Sequence, residues 1–172
     1  MSSRSIVCIV AAAVTALSCL SALSSGAALA QTDWQLTERV RVIDVVNRLF
    51  IETDNKNWKE LERIFARKVR FDVSSLAGGK PSTMTGKQIA AAWKKGLEPV
   101  KQVHHQTGNV LVEIKGKAAK VFCYGTATHY RPENKKRPIT TFVGSYDLHL
   151  TQSKAGWVID GFKFNKKYVH AH

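Results

Sequence analysis

Apolar positions in the first half of the chain recur every three or four residues, as they do along one face of a helix. The first such segment covers residues 37–53, and we expect Thr37 to cap its start. A second, shorter helix is predicted after the polar break at 55–57, and a third over 87–95. The apolar positions of the three helices are Val42, Val45, Val46, Leu49, Phe50, Trp58, Leu61, Ile64, Phe65, Ile89 and Trp93.

The second half of the chain changes to the two-residue alternation that is typical of strands. A short strand is marked by Val69, Phe71 and Val73, and a loop follows at 74–83. Four longer strands are predicted at 103–114, 119–130, 142–151 and 157–164, separated by polar turns. Helices followed by a meander predict an α+β fold. We expect a cone-shaped α+β barrel, with three N-terminal helices packed in the concave face of a curved, mostly antiparallel sheet that leaves a pocket.

The first thirty residues have the layout of a secretory signal peptide: one charge, a short apolar stretch and a small-residue cleavage site. The charge is Arg4, and the segment closes on Ala28-Leu29-Ala30. The apolar run is too short for a comfortable membrane span, so we do not expect a retained anchor. The prediction is a signal peptide at 1–30 and one domain at 31–172, exported to the periplasm or secreted, without stable membrane insertion.

Charge and cysteine usage narrow the classes of function. The formal charge of the 172-residue chain is +13, and loss of Arg4 with the leader lowers it to +12. The basic residues lie mostly at turns and lack an aromatic-interleaved nucleic-acid motif, so no nucleic acid partner is expected. A solvated basic surface is the preferred interpretation, with envelope polyanions or anionic lipids as the alternative. Cys123 is the cysteine that remains in the domain, which excludes an internal disulfide.

Asp54 is the first candidate for chemistry. It follows Phe50 by four residues, so its carboxylate points toward the core if the helix persists that far. A charge there needs a partner, and a neutral histidine would supply one. Such a pair abstracts protons, because the carboxylate fixes the tautomer that leaves the other ring nitrogen free as a base. The alternative is that Asp54 caps the second helix, and both interpretations stay open.

The adjacent residues His104 and His105 would point to opposite faces of a regular strand. The parity of the apolar residues favours His104 as the inward one, but a bulge near Gly108 would reverse that relation. His129 lies in a row of small residues and is either a satisfied core residue or a catalytic group, whereas His149 is predicted at the surface. The spacing of the histidines predicts no metal site.

The order of elements and three stretches, 52–61, 103–109 and 156–159, resemble the SnoaL-like branch of the nuclear transport factor 2-like superfamily. The resemblance covers nearly all of residues 31–172. The nearest functional parallel is to scytalone dehydratase and its relatives, which eliminate water with a pocket histidine held by an aspartate. By this resemblance, Asp54 is the orienting aspartate, His105 the base, and His129 an acid or a substrate contact.

The same resemblance implies the substrate-binding residues and the activity. Thr53 and Val73 replace two tyrosines that polarise the substrate carbonyl through water, and Tyr146 lies near a polar substrate contact. We add Trp93 of the third helix to this set. The implied activity is that of a hydro-lyase or isomerase, without cofactor or metal, acting on a small apolar or aromatic molecule in a homodimer. The alternative is a non-catalytic ligand-binding or assembly domain of the same fold.

Overall fold

A computed structural model describes residues 33–172, so the predicted leader lies outside the described residues. Residues 39–172 form one compact unit, and residues 33–38, in the first helix, belong to another. None of the helices in the described part of the chain is both long and apolar enough to span a membrane.

Four helices and six strands follow one another in residues 33–172. Helix α1 covers residues 33–54. The remaining elements are α2 (Trp58–Ile64), β1 (Phe65–Asp72), α3 (Ser74–Ala77), β2 (Ser82–Met84), α4 (Gly86–Gly96), β3 (Gln102–Lys115), β4 (Ala118–Tyr130), β5 (Ile139–Ser153) and β6 (Gly156–Ala171).

The six strands form one sheet in the order β2-β1-β6-β5-β4-β3. All neighbours pair antiparallel except β1 and β6, which run parallel. The predicted α+β class and the mostly antiparallel sheet are therefore confirmed. The sheet does not close on itself, because β2 and β3 are its two edges.

The apolar stripe of α1 supplies one side of the core, because Val42, Val46 and Leu49 are almost completely enclosed. Burial of each such side chain stabilises the fold by roughly 1.5–3 kcal/mol. A polar contact also fixes the helix on the edge strand, since Arg39 Nη1 donates to the carbonyl oxygen of Val112 at 2.9 Å. Nearer its C-terminal end, α1 contacts the sheet through Phe50, whose ring lies 4.8 Å from that of Tyr146 on β5.

Several predicted boundaries were wrong. Thr37 lies inside α1 and does not cap it, because the preceding residues 33–36 include no glycine or proline to stop the helix. Phe65 begins β1 instead of ending α2, since it pairs with Ile159 of β6. Strand β1 ends before Val73, because the Asp72 carboxylate accepts bonds from the backbone N–H and the hydroxyl of Ser74 and turns the chain. The predicted loop at 74–83 contains α3 and most of β2.

Candidate active site

Asp54 is the last residue of α1, and its carboxylate holds His105 of β3 from two directions. The backbone N–H of His105 donates to Asp54 Oδ2 at 2.8 Å, and Asp54 Oδ1 lies 2.6 Å from Nδ1 of the imidazole. The cap interpretation of Asp54 was wrong, because the N-cap of α2 is Asn57, which makes no side-chain cap bond. The carboxylate instead fixes both the position and the tautomer of His105.

A β-bulge decides which of the two adjacent histidines faces inward. The pairing of β3 with β4 shifts between Gly108 and Leu111, and Asn109 has a left-handed φ of 53°. The shift puts His105 on the same face as the apolar residues that follow the bulge. The side chain of His105 is 12% exposed and that of His104 is 75% exposed. The bulge that the sequence left open near Gly108 is therefore present, and it makes His105 the inward-facing histidine.

His105 borders a cavity of about 260 Å³ between the helices and the sheet. Six of the seven predicted site residues line it, and Asp54 lies behind His105. The lining residues are Phe50, Thr53, Val73, Leu76, Ala92, Trp93, Gly96, Leu97, His105, Ala127, His129, Phe142, Tyr146, Phe162 and Phe164.

The walls of the cavity are mainly aromatic. The Phe50 ring lies 5.2 Å from that of His105 and 4.8 Å from that of Tyr146, measured between centroids. On the helical side, the Trp93 and Phe162 rings are 5.5 Å apart and meet edge to face. Among the described residues that line this cavity there is no lysine, arginine, aspartate or glutamate. The cavity therefore suits a neutral, flat molecule, because an ion would enter without a counter-charge.

His129 lies on β4, and its ring centroid is 4.9 Å from that of Phe142. Its Nδ1 is enclosed and has no hydrogen-bond partner among the described residues, so it is not a satisfied core histidine. Burial, reinforced by the nearby cation Arg131, lowers the pKa of His129 to about 4. The imidazole is consequently neutral near pH 7 and is suited to hydrogen bonding rather than to acid catalysis.

Tyr146 of β5 adds a hydroxyl to the cavity. Burial raises the pKa of Tyr146, with smaller contributions from Cys123 and Asp54, so the phenol stays protonated and can donate. Thr53 differs, because its hydroxyl already donates to the Leu49 carbonyl at 2.7 Å within α1. Val73 brings no polar group. The polar groups free to meet a ligand are therefore those of His105, His129 and Tyr146.

Sequence reasoning missed the aromatic wall and one polar pair. Phe162 and Phe164 line the cavity, yet they break the alternation begun by Trp157 and Ile159 because the pairing with β5 shifts between them. Phe50 was identified only as an apolar position of the first helix, and Phe142 only as the first residue of a predicted strand. His149, predicted at the surface, is partly exposed and its Nδ1 pairs with Asp160 Oδ1 on the other side of the sheet. Within residues 33–172, no three His, Cys, Asp or Glu side chains converge as a metal-ligand set.

The chain belongs to the family of the SnoaL-like domain, whose family model matches residues 34–163. This membership confirms the SnoaL-like resemblance and the class of fold. A comparison with curated proteins found no match.

Solved structures of low sequence identity share the fold. The Kfla4162 protein from Kribbella flavida is 22% identical with a TM-score of 0.76, over 79% of this chain and 95% of its own. A candidate scytalone dehydratase from Novosphingobium aromaticivorans is 18% identical with a TM-score of 0.65, over 82% and 91%. Hexachlorocyclohexane dehydrochlorinase LinA-type3 from Novosphingobium barchaimii is 13% identical with a TM-score of 0.67, over 80% and 92%.

Proposed function

We propose that the protein is a cofactor-independent hydro-lyase or isomerase that acts on a small, neutral, largely aromatic carbonyl compound. One observation carries the proposal: Asp54 holds His105 by two hydrogen bonds at the wall of an apolar cavity. A neutral imidazole held in this way is a general base, and the surrounding apolar walls exclude the water that would compete for it. Two of the similar structures carry names of eliminating enzymes, which is consistent with this class of reaction.

The reaction begins when His105 Nε2 removes a proton from the carbon next to the substrate carbonyl. The electron pair of the broken C–H bond forms a C=C bond with that carbonyl carbon, and negative charge develops on the carbonyl oxygen. In dehydration, this enolate expels a hydroxyl group from the β-carbon. The imidazolium of His105 returns its proton to the departing hydroxyl, so water leaves. In isomerisation, the same proton returns to a different carbon.

His129 and Tyr146 have supporting roles in this scheme. The Tyr146 hydroxyl donates to the developing oxyanion, since its raised pKa keeps the phenol protonated. His129 contacts the substrate as a neutral imidazole, because its pKa of about 4 leaves little imidazolium at pH 7. Of the two roles predicted for His129, the substrate contact is thus the better supported. Thr53, Val73 and Trp93 shape the walls.

Exchange of the α-hydrogens of 2-tetralone in D₂O, followed by NMR, tests the proton abstraction without knowledge of the natural substrate. This neutral two-ring ketone has acidic C–H bonds beside its carbonyl. We expect the wild type to accelerate exchange and His105→Ala to lower the enzymatic rate by about 100-fold or more, the usual contribution of a general base. His104→Ala is the matched control, because the neighbouring imidazole lies outside the cavity, and its rate should stay within about twofold of wild type.

Two outcomes would contradict the catalytic proposal. One is an exchange rate in the wild type no greater than that in buffer. The other is equal exchange in wild type and His105→Ala. Binding of 2-tetralone without exchange would instead support the second candidate, a non-catalytic ligand-binding domain. That candidate is favoured by one observation, which is that neither Thr53 nor Val73 offers the cavity a free polar group.

Export is also part of the proposal. We propose that residues 1–30 direct secretion and are removed, on the support of the charge, apolar run and Ala-x-Ala ending of the leader. N-terminal sequencing of the full chain expressed in a bacterium, after fractionation, should give Gln31 as the first residue in the envelope or medium. Intact Met1 in the cytoplasmic fraction alone would contradict export.

We further propose that the protein is a homodimer that buries the outer face of β3 and β4. Leu111 is 66% exposed there and pairs across the strands with Phe122, whose ring lies 5.2 Å from that of Tyr124. An exposed apolar strip of this kind is typical of an interface. Light scattering after gel filtration should give twice the chain mass, and Leu111→Lys should shift it toward the monomer. A monomeric wild type would contradict this proposal.

A further inference from the structure

Gly125 of β4 and Gly144 of β5 stand directly opposite each other in the middle of the sheet, and both are buried. Gly125 lies between Cys123 and Ala127, which face the core, so the absent side chains of both glycines would point to the cavity side. Neither glycine has a left-handed φ. The backbone would accept other residues at these positions, so the reason for glycine is space.

Two aromatic rings occupy the space of the missing side chains. A Cβ atom at Gly125 would lie 2.2 Å from Cε2 of Tyr146, well below van der Waals contact. A Cβ atom at Gly144 would lie 2.3 Å from the Asn165 carbonyl oxygen and 2.7 Å from Cε2 of Phe164. The Tyr146 and Phe164 rings lie side by side, with centroids 5.0 Å apart. Both rings therefore rest on bare backbone at the floor of the cavity.

This arrangement sets both the depth of the cavity and the height of the Tyr146 hydroxyl. Tyr146 and Phe164 line the cavity, and the Tyr146 ring also contacts Phe50, which in turn contacts His105. A methyl group at Gly125 would push the Tyr146 ring up, away from the sheet and into the space that a ligand needs. Ring positions in a packed core have few alternatives, since such interiors leave almost no free volume.

We propose that the Gly125–Gly144 pair determines ligand size, because it lowers the aromatic floor enough to admit a neutral two-ring molecule beside His105. The inference rests on the proposed function of the same cavity. Gly125 and Gly144 touch no ligand themselves, and they act by positioning Tyr146 and Phe164. Gly125 is the better test, because its obstacle is a side chain, whereas Gly144 faces a backbone oxygen.

The experiment measures binding of 2-naphthol and phenol to the full-length protein at pH 7 by isothermal titration calorimetry. Both probes are neutral hydroxyl compounds, and they differ by one ring. For Gly125→Ala we expect the Kd of 2-naphthol to rise about tenfold or more and that of phenol to change less than about threefold. Thr126→Ala, at the next residue on the opposite face of β4, should leave both Kd values unchanged.

A double variant separates size selection from loss of the fold. The reference is the single variant Tyr146→Val, whose smaller side chain already vacates the space that the new methyl group needs. In Gly125→Ala/Tyr146→Val the Kd of 2-naphthol should therefore lie within about threefold of that in Tyr146→Val, and this comparison tests the inference even if Gly125→Ala alone fails to fold. The inference is overturned if Gly125→Ala keeps wild-type affinity for both probes, weakens them equally, or weakens 2-naphthol binding as much in the Tyr146→Val background as in the wild type. If the wild type binds neither 2-naphthol nor phenol, the ligand-binding proposal is overturned as well. If the wild type binds both but Gly125→Ala affects the two Kd values equally, only the inference about ligand size fails.

Discussion

Two histidine–aspartate pairs lie on opposite sides of the same sheet. They consist of the same residue types but differ in exposure and in the elements that they join. In each pair a carboxylate oxygen meets Nδ1 of the imidazole. His105 and Asp54 are 12% and 18% exposed, whereas His149 and Asp160 are 43% and 28% exposed. The first pair joins α1 to β3 across 51 residues of sequence, and the second joins two adjacent strands across 11.

The two pairs differ in their surroundings, and these make the inner pair a candidate site and the outer pair a surface contact. Asp54 also accepts the backbone N–H of His105, which leaves the imidazole little freedom, and the ring borders an uncharged cavity. The outer pair borders a larger, open groove of about 670 Å³. This groove is also lined by the charged residues Lys120, Asp147 and Lys163. A histidine becomes an effective base where its orientation is fixed and water is excluded, and only the inner pair meets both conditions.

The largest expected difference between the pairs is catalytic. Asp54→Asn removes the carboxylate that holds the base, and we expect 2-tetralone exchange to fall by about 100-fold or more. Asp160→Asn makes the same change in the outer pair and should leave the rate within about twofold of wild type. Equal effects of the two substitutions, measured by the same NMR assay, would refute the distinction.

The next difference concerns the free energy of unfolding. Asp54→Ala leaves two donors of His105 without their acceptor in a partly buried place, and we expect it to cost about 2–3 kcal/mol. Asp160→Ala breaks a more exposed pair and should cost less than about 1 kcal/mol. Urea denaturation at pH 7 measures both values. A larger loss for Asp160→Ala would show that the outer pair holds the sheet together.

The smallest expected effect is on the pH dependence of the free energy of unfolding, which should differ between the two sides of the sheet. Unfolded chains protonate His129 near pH 6.5, whereas burial lowers its native pKa to about 4. Between these values the unfolded state binds more protons, so the contribution of neutral His129 to the free energy of unfolding is lost as the pH falls. In His129→Gln this part of the pH dependence should disappear from denaturation curves at pH 4 to 7. Thr126→Ala, on the outward face of the same strand, removes no titratable group and is the control, so it should keep the wild-type slope there.

The sequence predicted long elements well because their periodic patterns persist over many residues. Helix α4, with its basic last turn, and the four long strands lie within a few residues of their predicted bounds, apart from β6, which continues to Ala171. The three-residue β2 and the four-residue α3 were missed, because elements so short depend on tertiary partners such as the pairing of Phe71 with Ser82.

The candidate site was predictable as a set of residue types but not as a geometry. Periodicity placed Asp54 on the inner face of α1, yet it could not distinguish a helix cap from a partner of His105. The wall formed by Phe162 and Phe164 was hidden because the alternation of β6 changes phase after Ile159. Nor could spacing reveal that the Tyr146 ring packs against the backbone of Gly125, since that contact joins two strands.

The bulge after Gly108 decides which of His104 and His105 shares a face with the apolar residues of β3. Because side chains alternate along a strand, deletion of one residue between Gly108 and Leu111 would exchange the faces of His104 and His105 relative to the rest of β3. His104, which is exposed, is then one deletion away from the inward face, while the flanking sequence stays the same. Which histidine faces inward thus depends on the number of residues in β3 as well as on their identity.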